Sequence, residues 1–142
     1  MTVPSAAGLE RFLQAQESVF SDVCAELKRG RKESHWMWFI FPQLRGLGRS
    51  PTAQFYGIVD RAEAESYWSH AVLRERLLRC TELVLSTRDL TVHQIFGSPD
   101  DFKLQSCMTL FSFVASGETA FDEVLERFFD GARDPVTLSM LR

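Results

Sequence analysis

The stretch Ser34 to Gln43, SHWMWFIFPQ, limits more than any other what this chain can fold into. Placed on a helix, Trp36, Phe39 and Ile40 fall on one side and Met37 and Phe41 on another, with Trp38 between them. A helix that is apolar nearly all round must be surrounded by other elements, so the rest of the chain has to supply neighbours on every side. The chain is long enough to do so. It has 142 residues, 45% of them hydrophobic and 25% charged, which are ordinary globular proportions. One domain of this length buries roughly two-thirds of the surface its unfolded chain would expose.

The neighbours read as helices. Leu9, Phe12, Leu13, Phe20, Val23 and Leu27 recur at helical spacing and predict one first helix over 9–27 with Gly30 as its stop. The basic cluster LKRGRKE at its far end reads as a solvated helix terminus that complements the dipole. Ser34 is placed to cap the tryptophan segment. Ser50 followed by Pro51 has the form of an N-cap with proline at the first helical position, so a short helix follows the loop LRGLGR. Asp60 with Glu63 three residues later has capping-box spacing ahead of RAEAESYWSH. Leu73, Leu77, Cys80, Val84 and Leu85 then give the next segment an apolar stripe.

Thr91 can cap a short turn, VHQIF, closed by Gly97. Ser98 and Pro99 repeat the Ser-Pro start, with Asp100 and Asp101 in the first turn, where the dipole favours negative charge. The helix that follows carries Leu104, Met108, Phe111 and Val114. Another begins near Thr119 and carries Phe121, Val124, Leu125 and Phe128, and Asp134-Pro135 opens a last short one. The expected architecture is all-α, a compact single domain of seven or eight helices over residues 9–142, with residues 1–8 as a flexible N-terminal segment. No strand is predicted, although WMWFIF and ELVLS taken alone have strand-like composition.

Charge and composition set aside several classes of function. With 16 basic and 19 acidic residues spread along the chain and a net charge of -3, there is no strong positive field for a phosphate backbone, so nucleic acid is not the expected partner. No apolar run approaches the roughly 20 residues that span a bilayer, and MTVPSAAG has no basic region leading into an apolar run. A cytoplasmic protein with no membrane partner is expected. Cys24, Cys80 and Cys107 lie far apart and form no CxxC pair, which fits a reducing compartment. Cys107, among apolar neighbours, reads as inert core. His35, His70 and His93 make no pair at helical spacing, so neither a metal nor a cofactor is expected.

The place to look for a ligand is the polar fringe of the tryptophan segment. His35, Gln43, Arg45 and Arg49 gather within a few residues of Trp36 and Trp38, and buried polar groups need partners, whether loops or a ligand. The loop RGLGRSP feeds a helix at Ser50, where arginines could hold an anion. It lacks the lysine and the preceding strand of a phosphate-binding loop, and as a plain capped turn it already has a structural reason. Further along, GSPDDFKLQS offers Asp101 and Lys103 to the same region, although acids in a first helical turn also have a dipole reason to be there.

The blocks GRKESHWMWFIFPQLRGLGRSPTAQFYGI, AEAESYWSHAVLRERL, QIFGSPDDFKLQSCMTLF and RDPVTLSML, in that order, resemble a bacterial family of domains of unknown function, DUF1810, some of whose members are labelled calpastatin-like. The resemblance runs from about Leu9 over nearly the whole chain. It implies an all-helical single domain with no established activity, and it names no catalytic residue.

Two functions are compatible with these residues. One is a non-catalytic helical module that binds a small anionic ligand or a partner protein near His35–Gln54, with Trp36, Trp38, Gln43, Arg45, Arg49, Ser50 and Lys103 as binding residues. The alternative is a hydrolase acting on a nucleotide-like or ADP-ribose-like N-glycoside. There Trp36 or Trp38 stacks a base, Arg45, Arg49 and the Ser50 helix start hold phosphates, and His35 or Asp101 moves a proton.

Overall fold

The computed structural model describes residues 6–142. Among them are ten α-helices: α1 Ala6–Glu17, α2 Phe20–Arg29, α3 Met37–Ile40, α4 Pro51–Tyr56, α5 Arg61–Ser69, α6 Ala71–Leu85, α7 Val92–Phe96, α8 Asp100–Val114, α9 Ala120–Phe129 and α10 Pro135–Leu141. A 3-10 turn at Arg45–Leu47 lies between α3 and α4. The all-α expectation holds, but the count of seven or eight is too low. Of the segment expected to be flexible, residues 6–8 are helical and residues 1–5 lie outside the described residues.

One reason for the higher count is that the predicted helix over 9–27 is two helices. Gln16, near the end of α1, is buried, and its side-chain amide donates to the Phe39 carbonyl at 2.7 Å and to the Tyr67 hydroxyl at 3.2 Å. The Val19 amide closes back on the Gln16 carbonyl at 3.2 Å, and the helix restarts at Phe20. Leu9 and Phe12 before the break and Val23 and Leu27 after it are all buried, so the apolar spacing runs across the break without revealing it.

The tryptophan segment is not a long buried helix. Only Met37–Ile40 is helical, because Phe41 precedes Pro42 and the proline ring disfavours helical backbone at the residue before it. Phe41 accordingly has φ -123 and ψ 71. Nor does Ser34 cap the helix, since its amide and hydroxyl both bond Glu26 and the N-cap residue is Trp36. Burial is as the apolar pattern demands. Trp36, Met37, Ile40, Phe41 and Leu44 all belong to the core, and the rings of Trp36 and Phe41 meet Phe96 edge-on at 6.4 and 5.9 Å.

Two long helices organise the packing. α8 lies against α5, α7, α9 and α10, while α6 lies against α2, α3, α5 and α9. α3 in turn joins α1 to α4. Among the described residues the sole β pairing is one parallel bridge, Leu44 to Ile58. There the Arg45 amide donates to the Ile58 carbonyl at 2.8 Å and the Ile58 amide to the Gln43 carbonyl at 2.9 Å. This clasp pins the loop 43–50 to the start of α5, and Gly57 makes it possible. A Cβ at Gly57 would lie 2.4 Å from the Arg45 Cα.

Candidate functional site: a cleft between the 43–50 loop and α8

The loop that carries Gln43, Arg49 and Ser50 is held from both ends. The Leu44–Ile58 clasp fixes its start. At its finish the Ser50 hydroxyl accepts the Ala53 amide at 3.1 Å, so Ser50 caps α4 as its sequence context predicts. The Gln54 side-chain amide reaches back to the Gly48 carbonyl. Across from this loop stands the first turn of α8, and the start of α10 closes the third side.

The three elements enclose a cleft of about 350 Å³. Gln43, Arg49 and Ser50 contribute polar groups from the loop, Lys103 and Ser106 from α8, and Asp134 from the start of α10. Leu47, Ala53, Phe102 and Val136 supply apolar wall. A narrow inward extension, walled by Trp38, Phe41 and Tyr56, shares Gln43, Ala53 and Lys103 with the main cleft. Four of the seven binding residues expected from the sequence, Gln43, Arg49, Ser50 and Lys103, therefore line the cleft, and a fifth, Trp38, lines the small pocket beside it.

Its charges are unevenly matched. Asp134 is committed to local structure: its carboxylate accepts the Thr137 amide and the Ser106 hydroxyl, each at 3.2 Å, and also the Thr137 hydroxyl. Lys103 lies 3.7 Å from Asp100 and 5.3 Å from the centre of the Trp38 ring. Asp100 is itself shared, because Lys32 approaches it at 3.0 Å. Of the basic cluster, Lys28, Arg29 and Arg31 are exposed as expected, and Lys32 alone departs from the reading, its side chain being 8% exposed and paired. Arg49 is exposed and, among the described residues, makes no ion pair.

The remaining expected residues lie elsewhere. Trp36 is sealed in the core, 1% exposed, with its indole N–H donating to Glu26 at 2.9 Å. Arg45 turns away from the cleft, and its charge acts on Glu63. Its Nε is buried without a hydrogen-bond partner among the described residues. His35 is exposed and borders neither the cleft nor its extension.

Asp101 is also outside the cleft. One of its oxygens accepts the Phe102 amide at 2.9 Å, both accept the Ser98 hydroxyl at 3.0 Å, and the other lies 3.3 Å from His93 Nδ1. Ser98, His93 and Asp101 thus form a Ser-His-Asp cluster without the relay geometry. A catalytic histidine uses one ring nitrogen for the acid and the other for the hydroxyl, whereas here Ser98 lies 3.2 Å from the same Nδ1. The cluster ties down the start of α8.

Leu47, Phe102, Ser106, Asp134 and Val136 are among the cleft residues that the sequence reading did not assign to a site. Asp134 is recognisable in sequence only as a helix opener, and nothing in local spacing brings the C-terminal helix to the 43–50 loop.

The comparisons agree with this architecture. A crystal structure at 1.38 Å of the conserved hypothetical protein Rv1873 from Mycobacterium tuberculosis is similar to this chain with a TM-score of 0.92 and 46% identity, over 94% of this chain and 95% of that one. No curated protein matches the sequence. The family described as "Protein of unknown function (DUF1810)" matches residues 6–141, almost the whole of the helical domain, and the chain belongs to that family.

Proposed function

We propose that this protein binds a small anionic ligand in the cleft between residues 43–50 and α8. The observation that carries the reading is the uncompensated Arg49 on the rim, facing a cleft whose acid, Asp134, is already engaged. An anion bridging Arg49 and Lys103 would meet the Ser50 hydroxyl and the Gln43 amide, groups that satisfy phosphate or carboxylate oxygens. The exposed face of Phe102 at the mouth offers a surface for a planar ring, whereas the extension beside Trp38, at about 10 Å³, has room only for a water. A ligand that joins a ring to phosphate, nucleotide-like or ADP-ribose-like, matches both halves.

Turnover is not part of the proposal. The groups a hydrolase reading would ask to move a proton, His35 and Asp101, lie outside the cleft, and the Asp134 carboxylate is tied to Ser106 and Thr137. A partner protein is a second reading, favoured by one observation: Phe102 and Val136 at the mouth are 64% and 53% exposed.

The test is a thermal-shift series with ADP-ribose, nucleotides and sugar phosphates. A ligand at 100 times its dissociation constant stabilises the folded state by about 2.7 kcal/mol. The expected result is a shift that Arg49→Ala and Lys103→Ala each abolish and that added salt weakens. No shift with any of these compounds, or a shift indifferent to both substitutions, overturns the anion reading and leaves the partner.

A further inference from the structure

The donors that hold Asp134 in the cleft wall all meet the same one of its oxygens. The Ser106 hydroxyl, the Thr137 amide and the Thr137 hydroxyl converge on Oδ2. Among the described residues Oδ1 accepts no hydrogen bond, and the carboxylate has no basic partner. A carboxylate can accept at about four lone-pair sites, so Oδ1 is left for whatever enters the cleft. Asp134 is half-buried and lines the same cleft as Arg49 and Lys103. An anion held by those cations therefore has a negative charge for a neighbour, which costs affinity unless the ligand also brings a donor to the carboxylate.

We infer that the ligand of this cleft is a phosphate ester of a sugar or a similar polyol, with its phosphate between Arg49 and Lys103 and a hydroxyl donating to Asp134 Oδ1. The inference rests on the anion reading above and adds what must lie beside the anion. The layout of α8 supports this order of groups. Lys103 and Ser106 are three residues apart and Phe102 and Ser106 four apart, and all of them line the cleft, so they share one side of the helix with Ser106 a turn farther on. The carboxylate that Ser106 holds thus stands about a turn beyond Lys103, a span that a small sugar covers between its phosphate and its free hydroxyls. Phe102, exposed at the mouth, is left for a ring carried beyond the sugar.

The arrangement discriminates in two directions. Inorganic phosphate satisfies the cations but sits beside a like charge. A neutral sugar satisfies Asp134 and leaves the cations without an anion. A sugar phosphate meets both demands, and its hydroxyl, bonded to a charged acceptor, improves affinity roughly tenfold.

The experiment is isothermal titration calorimetry of the whole protein with three probes: ribose 5-phosphate, inorganic phosphate, and tetrahydrofurfuryl phosphate, which keeps the ring and the phosphate but has no hydroxyl. The expected result is that ribose 5-phosphate binds more tightly than tetrahydrofurfuryl phosphate by roughly that tenfold factor. Asp134→Asn keeps a side-chain oxygen for Thr137 and Ser106, and asparagine caps a helix as well as aspartate does. In that variant the two esters are expected to bind alike, and inorganic phosphate is expected to bind more tightly than it does to the wild type. A preference for ribose 5-phosphate that survives Asp134→Asn, even with all three probes weakened together by a loosened cleft, overturns the role of Asp134. Equal affinities for the two esters in the wild type, with both lost in Arg49→Ala, overturn the polyol inference and leave the anion reading standing. Binding of none of the three overturns the inference as well, and the ADP-ribose and nucleotide series then decides the anion reading by itself.

Discussion

Glu26 lies in the core and yet is held in its charged form. Burial alone would raise its carboxyl, but the Ser34 hydroxyl, the Glu33 and Ser34 amides and the Trp36 indole all donate to it and bring it from 4.5 down to about 2. A group with a depressed folded value adds stability that is complete above its unfolded value and disappears as the pH falls through the folded one. Glu26→Gln should therefore cost about 2 kcal/mol at neutral pH, from lost charge-assisted bonds and a weakened partner for the buried indole. In urea unfolding, its deficit relative to the wild type should shrink as the pH falls from 4.5 toward 2; a deficit constant with pH would mean the carboxylate charge is irrelevant. Glu63 behaves alike in direction: burial opposes its charge, and Arg11, the Val59 amide and Arg45 outweigh it. Neither buried acid was legible in sequence. Glu63 has capping-box spacing from Asp60 and does follow an Asp60 cap, but its carboxylate bonds Arg11 at 2.9 Å and the Val59 amide at 2.9 Å instead of the Asp60 amide.

At the scale of elements, starts and stops were more legible than lengths. Ser50, Asp60, Thr91 and Asp134 each accept an amide three residues on, as their sequence positions predict, because a cap depends on four consecutive residues and little else. The split between α1 and α2 and the shortness of α3 were not read, since one depends on where Gln16 finds distant acceptors and the other on Pro42 cutting a run that apolar content alone would extend. The 43–50 loop invites a sharp test. Gly57→Ala would force a Cβ to within 2.4 Å of the Arg45 Cα and 2.9 Å of the Ala53 carbonyl oxygen, both backbone atoms with little room to yield. We expect a loss of about 1–3 kcal/mol, together with weaker ligand binding in the cleft as the clasp shifts. Ser50→Ala should cost about 1 kcal/mol through the lost cap alone. Calorimetry of both variants with and without ligand distinguishes the two effects.

For the molecule as a whole, α8 and α6 tie the remaining helices into one core, so unfolding should be a single cooperative step. Phe111 is fully buried on α8, with Tyr67 and Phe121 packed on its ring at 5.2 and 6.0 Å. Phe111→Ala should lower stability by about 3–5 kcal/mol. Circular dichroism and tryptophan fluorescence should still report one midpoint; separated midpoints would mean that α5, α8 and α9 do not share a cooperative core. What the sequence determined by itself was the class of structure: helices, the caps at Ser50, Asp60, Thr91 and Asp134 though not at Ser34 or Ser98, and the necessity that SHWMWFIFPQ be enclosed. Those follow from periodicity and from short-range bonding, which act within a few residues. The site was decided only in three dimensions. The tryptophan fringe pointed to one wall, but Lys103, Ser106 and Asp134 reach it because α8 and α10 pack across from the loop, while Trp36 is held in the core by Glu26 of α2 and Arg45 does not line it. Burial, pairing and the sharing of a cleft are relations between distant residues, and local sequence carries no record of which of them will meet.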